Sequence, residues 1–322
     1  LREGLLHTPR NTSPRFFYDD AGSRLFERIT GLAEYYQTRT EASILARIAP
    51  EVIARTGARE LVELGSGAAE KTRLLLDAMS AAGGLRHYVP FDVSEEIVRR
   101  AAAQLVDDYE GLQVHGFIGE FTEHLESIPK LEKRLLIFLG GTIGNFDRRA
   151  ALEFLSRLAS AMEPGEHLLL GFDLIKDPAR LEAAYNDAQS VTAEFNRNAL
   201  RVLNRFARAD FDADAFTHRA IYNAAEHRIE MWLDADREQE AHLQRLGMTL
   251  VFRTGDSIRT EISVKYDRAL AEALLCEARL EPVAWYTDPD ALFALALARR
   301  PGRARDGGPL QNELQKELPE EH

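Results

Sequence analysis

The chain carries one cysteine, Cys276, which excludes an intrachain disulfide and a thiolate metal cage. Its nine histidines are scattered without ligand-like spacing, so no metal centre is expected. Cations are in deficit: 40 Lys and Arg stand against 52 Asp and Glu, a formal charge of -12. Nucleic-acid surfaces need clustered cations to neutralise phosphates, so a small-molecule ligand is expected and nucleic acid is not. No apolar run approaches the ~20 residues of a membrane span, and no basic leader with an apolar segment follows Leu1. Membrane binding is therefore not expected. A monomer in the reducing cytoplasm is.

What is present suits an ordinary soluble globular protein. The 322 residues are 45% apolar and 29% charged, enough for a full α/β core and a second lobe. From Arg59 to Asp173, short Leu- and Val-rich runs alternate with amphipathic stretches, the pattern of a parallel sheet wrapped by helices. The expected strands are Glu60 to Leu64, His87 to Phe91, Gln113 to Phe117, Arg134 to Leu139 and His167 to Asp173. Helices are expected to start near Glu70, Ser94 and Arg149, with Ser94 as a cap. After Asp173 the texture changes to one long helical region, Pro178 to about Arg205, followed by alternating segments that read as antiparallel strands. The run from Cys276 to Arg300 reads as two strands rejoining the first sheet, with Asp288 and Pro289 as turn chemistry. The tail 301–322 has little to bury and is expected to be disordered.

The stretch LVELGSGAAEKT, Leu61 to Thr72, nearly spells two phosphate-binding loops. Both the G-x-x-x-x-G-K-T loop and the G-x-G-x-x-G loop want glycine where Glu70 stands. A carboxylate there brings negative charge toward phosphate, and the missing glycine weakens close helix packing. S-adenosylmethionine (SAM), with a cationic sulfur and no phosphate, escapes both objections. Asp92, closing the second strand, then stands where an acid accepts from ribose hydroxyls. The plainer alternative is a tight strand-helix turn with Asp92 as a helix cap. In GFIGEF, Glu120 and Phe121 fit an acid for the adenine amino group and a ring packing on the base, or a solvated Glu beside a core Phe.

Six segments together resemble the SAM-dependent histidine Nα-methyltransferases of ergothioneine biosynthesis: Arg15 to Ala42, LVELGSGAAEKTRLLLDAM, FLGGTIGNF, AYNDAQSVTAEFNRN, RIEMWL and RTEISVKY. The resemblance spans nearly the whole chain before the tail. It departs at Glu120, where Asp is expected, and at Gly141, where Ser is more common. It implies a Rossmann-like class I SAM-methyltransferase domain (40–175 and 266–300) carrying an inserted α+β substrate-binding domain (1–39 and 176–265). It also implies cofactor contacts at Gly65, Lys71, Asp92, Glu120 and Phe121, with Gly140 and Thr142 in the following loop. Asn145 and Tyr185 would hold the carboxylate and amine region of L-histidine, and Tyr18 would contact the amino acid, where a phenol can orient the amine lone pair, its main expected role, or relay a proton. Tyr35, Glu261 and Ser263 would read the imidazole, with Met231 shaping the pocket.

The residues agree with these implications without requiring them. Glu261 and Ser263 are two apart on an expected strand, so they share a face, and a carboxylate with a hydroxyl can satisfy the two nitrogens of an imidazole. Without the resemblance, an exposed Glu and Ser on a sheet edge is the preferred reading of the same pair. Asn145 could be a turn residue and Met231 simply core. The doublet Tyr35-Tyr36 is expected to split, one ring inward and one outward, with Tyr35 as the ligand contact. Three rival functions stay in view: methylation of another amino acid such as tryptophan, nicotinamide-dependent oxidoreduction, and SAM binding without catalysis.

Overall fold

The computed structural model describes residues 1–119 and 124–302. A short strand β1 (Arg10–Asn11) precedes the helices Asp20–Thr30 and Gln37–Thr56. The main sheet is then built from β2 (Glu60–Leu64), β3 (His87–Asp92), β4 (Gln113–Val114), β5 (Phe117–Ile118), β6 (Arg134–Phe138) and β7 (His167–Asp173). All of these pair in parallel. Every residue of β2, β6 and β7 is buried, as expected of strands covered on both faces. Alternation sorts their side chains. Leu61, Leu135 and Ile137 pack with the helices Gln37–Thr56 and Arg73–Ala81 on one face. Val62, Leu136 and Phe138 pack with Arg148–Ala161 and Arg268–Glu277 on the other.

The second sheet uses β8 (Phe216–Asn223), β9 (Arg228–Ala235) and β12 (Ser257–Val264), joined antiparallel, with β1 added parallel to β12. A separate ribbon pairs β10 (Gln239–Leu243) with β11 (Met248–Phe252). The helix Val191–Ala207 packs here through Phe195, Ala199 and Leu203, in one apolar cluster with Phe16, Phe17 and Tyr35 from the N-terminal segment. The chain then returns as an antiparallel hairpin, β13 (Glu281–Thr287) and β14 (Phe293–Arg299), and β14 pairs antiparallel with β7. Asp288 shapes this turn: one carboxylate oxygen accepts the Leu292 and Phe293 amides at 2.8 and 2.9 Å.

The main sheet runs β13-β14-β7-β6-β2-β3-β4, with β5 beside β3. Chain order reverses at β2, which has β3 on one side and β6 on the other, and the crevice beyond such a reversal is where open α/β sheets receive ligands.

Several expectations need correction. The helical region after Pro178 is two helices, Pro178–Ala183 and Val191–Ala207. The break is made by Asp187, whose carboxylate accepts the Val191 and Thr192 amides at 2.8 Å each, with Ser190 left-handed at φ +58°. The strand expected over Gln113 to Phe117 is split into β4 and β5. The helix expected from Glu70 begins at Arg73, because Gly65, Gly67 and Ala69 all take positive φ and hold the intervening residues in a turn. Ser94 precedes its helix but makes no side-chain cap bond; its amide is held instead by Asp92 at 3.0 Å. Neither ring of the Tyr35-Tyr36 doublet points outward. Both are buried, Tyr35 lining the cleft and Tyr36 donating its hydroxyl to Asp173. Residues 303–322 of the tail expected to be disordered lie outside the described residues.

Candidate active site

The glycine turn after β2 closes over the end of β3. The Gly65 amide donates to the Phe91 carbonyl at 2.7 Å, and the Gly67 amide donates to Asp92 Oδ2 at 2.9 Å. This spends on a carboxylate an amide that a phosphate would need. Glu70, the residue that broke both phosphate patterns, is exposed. The acid that fills the turn from below is Glu63. It accepts from the Thr72 hydroxyl at 2.7 Å and from Tyr88, and desolvation pushes its carboxyl up to about 7 despite those bonds.

Lys71 leaves the same turn to pair with Glu41, a fully buried carboxylate on the helix Gln37–Thr56. Glu41 also accepts the Gly140 amide at 2.8 Å. One acid thus fixes both the lysine and the loop after β6. Ser66 Oγ, in the same glycine turn, is buried with no hydrogen-bond partner among the described residues. An unpaired hydroxyl, a lysine and an acid at the β3 end form a donor and acceptor set that suits a zwitterionic, ribose-bearing ligand such as SAM. Gly65, Lys71 and Asp92 therefore come together. Glu120 and Phe121 lie outside the described residues.

The second half of the site is a cleft between the loop after β6 and the second sheet. Tyr18, Tyr35, Asn145, Tyr185, Met231, Glu261 and Ser263 all line it, as do Gly140 and Thr142. The arrangement follows from strand register. Pairing between β12 and β9 shifts between Arg259 and Glu261, an irregularity that re-aims the strand and places Glu261 opposite Met231. Ser263, two residues on, shares the face of Glu261. Asn145 ties the two sides together, donating from Nδ2 to the Ile262 carbonyl at 3.0 Å. Desolvation raises the Glu261 carboxyl to about 7, against the pull of its hydrogen bond from Asn145 and the charge of Lys265.

Aromatic rings form the opposite wall. Tyr18, Phe26 and Tyr35 meet edge to face with centroids 5.9 and 6.1 Å apart, and Tyr35 meets Tyr185 at 6.4 Å. Tyr18 is 36% exposed and also borders an open groove lined by Val93 and Ser94, so it stands between the Asp92 end and the cleft. Desolvation by the surrounding walls, then Glu261, raise its phenol well above the usual range. Desolvation raises Tyr35 and Tyr185 in the same direction.

Residues 1–300 match the family described as histidine-specific methyltransferase, SAM-dependent. The chain belongs to this family. It is 49% identical over 300 residues to the histidine N-alpha-methyltransferase of Mycolicibacterium smegmatis, covering 93% of this chain and 94% of that protein. It is 32% identical over 299 residues to ergothioneine biosynthesis protein 1 of Neurospora crassa, covering 87% of this chain but 32% of that longer protein. Among solved structures, an S-adenosylmethionine-dependent methyltransferase from Clostridium acetobutylicum matches with a TM-score of 0.50 at 9% identity, covering 88% of this chain and all of that one, which shows the fold alone. The protein is thus a SAM-dependent methyltransferase with a Rossmann-like core.

Some site residues were not singled out from sequence. Glu41 gave no signal, since a glutamate on a helix is ordinarily solvated. Phe26, Thr192 and Phe195 line the cleft from helices whose apolar positions read as core. Asp173 closes β7 and gathers Tyr36 at 2.8 Å, Lys265 at 2.7 Å and Lys176 at 2.5 Å. Burial works against its charge, but the two lysines hold its carboxyl below the usual range. A signal for Lys265 did exist, because it continues the alternation of Glu261 and Ser263. Among the described residues, no group of three or more His, Cys, Asp or Glu is placed to hold a metal ion, and no helix is long and apolar enough to cross a membrane.

Proposed function

We propose that this methyltransferase adds three methyl groups in turn to the α-amino nitrogen of L-histidine, giving the trimethylated betaine hercynine in ergothioneine biosynthesis. The observation that carries the reading is the meeting of Glu261 and Ser263, an acceptor and a hydroxyl on one strand face, with Tyr18, Asn145 and Tyr185 in a single cleft beside the glycine turn.

Gly65, Lys71 and Asp92 hold the cofactor: Asp92 offers its remaining lone pairs to ribose hydroxyls, and Lys71 meets the carboxylate of the methionine end. Gly140 and Thr142 border both ligands. Bound there, SAM supplies a methyl carbon on cationic sulfur, open to a nitrogen lone pair. The chain's task is to present that lone pair. Asn145 takes the substrate carboxylate region with the Tyr185 ring beside it, while Glu261, Ser263 and Tyr35 receive the imidazole beside Met231. A histidine amine is mostly protonated near neutral pH, so each transfer requires a proton to leave nitrogen first. Tyr18, a neutral phenol, accepts an N–H from the amine through its oxygen in the first two transfers and aims the lone pair. The rings of Tyr18, Phe26 and Tyr35 offer π faces to the growing methylated cation. We assign the substrate lobe to 1–39 and 176–265 and the cofactor lobe to 40–175 and 266–300.

Mass spectrometry of histidine incubated with the protein and SAM tests the reading. Products one, two and three methyl groups heavier, all on the α-nitrogen, are expected. Tryptophan methylated in preference to histidine would overturn it.

A further inference from the structure

Behind Ser263 lies a lysine that no ligand can touch. Lys265 has a fully buried side chain, and its ammonium donates to Asp173 Oδ2 at 2.7 Å, Ser263 Oγ at 2.8 Å and the Tyr185 hydroxyl at 3.1 Å. An ammonium has three donors and no acceptor, so its capacity is spent. Ser263 Oγ also accepts the Tyr185 O–H at 2.9 Å. Both acceptor sites of Ser263 are then filled, by a cation and a phenol. Only its own proton is left for the cleft. The charge behind it favours that orientation, since a hydroxyl beside an ammonium turns its oxygen toward the cation and its proton away.

We infer that Lys265 is a positioning residue for substrate selection: it makes Ser263 a donor-only contact, so the cleft takes the imidazole tautomer that shows a bare nitrogen to Ser263 and an N–H to Glu261. This rests on the proposed reading of Ser263 as an imidazole contact. Charge balance separates the role from folding. Asp173 already has Lys176 at 2.5 Å and the Tyr36 hydroxyl at 2.8 Å. One ammonium neutralises it. The second has no carboxylate of its own bonded to it among the described residues, and the further acid that feels its charge is Glu261 in the cleft, which ties its placement to the cleft.

The test compares L-histidine with a pyrrolylalanine that keeps the ring N–H facing Glu261 but has C–H in place of the bare nitrogen. The native protein is expected to favour histidine in kcat/KM by roughly tenfold or more, because the analogue leaves the Ser263 proton unpaired. In Lys265→Met the hydroxyl can turn away, and the preference should fall by about fivefold or more while SAM affinity by calorimetry is kept. If Lys265→Met binds SAM normally and keeps the native preference, the inference is wrong. If Lys265→Met loses SAM binding, Lys265→Gln, whose amide carbonyl can accept the Ser263 proton, decides by the same ratio. Ser263→Ala separates the two readings: a native preference in that variant would sink the Ser263 assignment itself, whereas a lost preference there with an unchanged lysine variant sinks the Lys265 inference alone.

Discussion

Glu261 lies directly opposite Met231 across β12 and β9, and Ala220 of β8 lies opposite Met231 on its other side. Residues in such register share a face, so one wall of the cleft is acidic at Glu261 and apolar at its neighbours. A ring that places its N–H on the carboxylate rests its carbons beyond it. Replacing Glu261 by Gln keeps the shape and removes the charge. Histidine affinity should drop about tenfold to a hundredfold, with SAM affinity unchanged, both read by calorimetry. The carboxyl titrates at about 7, and only its ionised form accepts without also donating. Native histidine affinity should therefore strengthen as pH rises through about 7, and Glu261→Gln should lose that component. A variant with the native pH dependence would show that Glu261 does not face the ring.

Tyr18 touches both halves of the site, and its phenol is raised well above its usual range, first by desolvation and then by Glu261. A phenol that stays neutral near neutral pH fits the proposed role of orienting the amine better than that of an anionic base. Tyr18→Phe should lower the single-turnover methylation rate by about tenfold to a hundredfold, with little change in histidine affinity and no change in the shape of the pH-rate profile. Loss of an alkaline limb in that profile would assign it proton removal instead.

The parts of the site that could be read from sequence are those whose residue types are odd for their place. Gly65 and Gly67 interrupt a strand-helix boundary and Asp92 ends an apolar strand, whereas Glu261 with Ser263 on one strand face reads as an exposed sheet edge until the family resemblance singles the pair out. β2 and β7 were legible to the residue because short Leu-rich runs bounded by turn chemistry are long enough for a strand and too short for a helix. The helix break before Val191 was not, because Asp187 reaches forward to cap across residues that look helical. Asp173, Glu41 and Tyr36 escaped for another reason. Their partners lie far along the chain, Tyr36 137 residues from Asp173, and no local pattern encodes such a meeting.

Asp92 holds two backbone groups at once, the Gly67 amide through Oδ2 at 2.9 Å and the Ser94 amide through Oδ1 at 3.0 Å. An asparagine has one acceptor oxygen and must abandon one of them. Asp92→Asn should weaken SAM binding by at least about tenfold, through the lost ribose acceptor and the loosened turn. Thermal stability should fall as well, by about 1 to 3 kcal/mol for an unpaired, partly buried amide. Calorimetric titration with SAM and a melting curve read the two effects separately. Full SAM affinity in a destabilised variant would confine Asp92 to shaping the turn.

Glu63 offers a pH test of stability away from the chemistry. Its carboxyl is raised by burial from an ordinary 4.5 to about 7. Between those values the folded chain keeps a proton that the unfolded chain has released, so the native state binds more protons and Glu63 lowers stability as pH rises through that window. Below it both states are protonated. Above it both are ionised and the penalty is constant. Glu63→Gln cannot ionise, and it keeps an oxygen to accept from Thr72 or Tyr88. The variant's melting temperature relative to the native protein should therefore climb steadily from pH 4.5 to about 7 and level off above, whatever fixed offset the lost hydrogen bond adds. A difference that does not vary with pH would mean that Glu63 is ionised in the fold throughout, with Tyr88 and Thr72 compensating its burial in full.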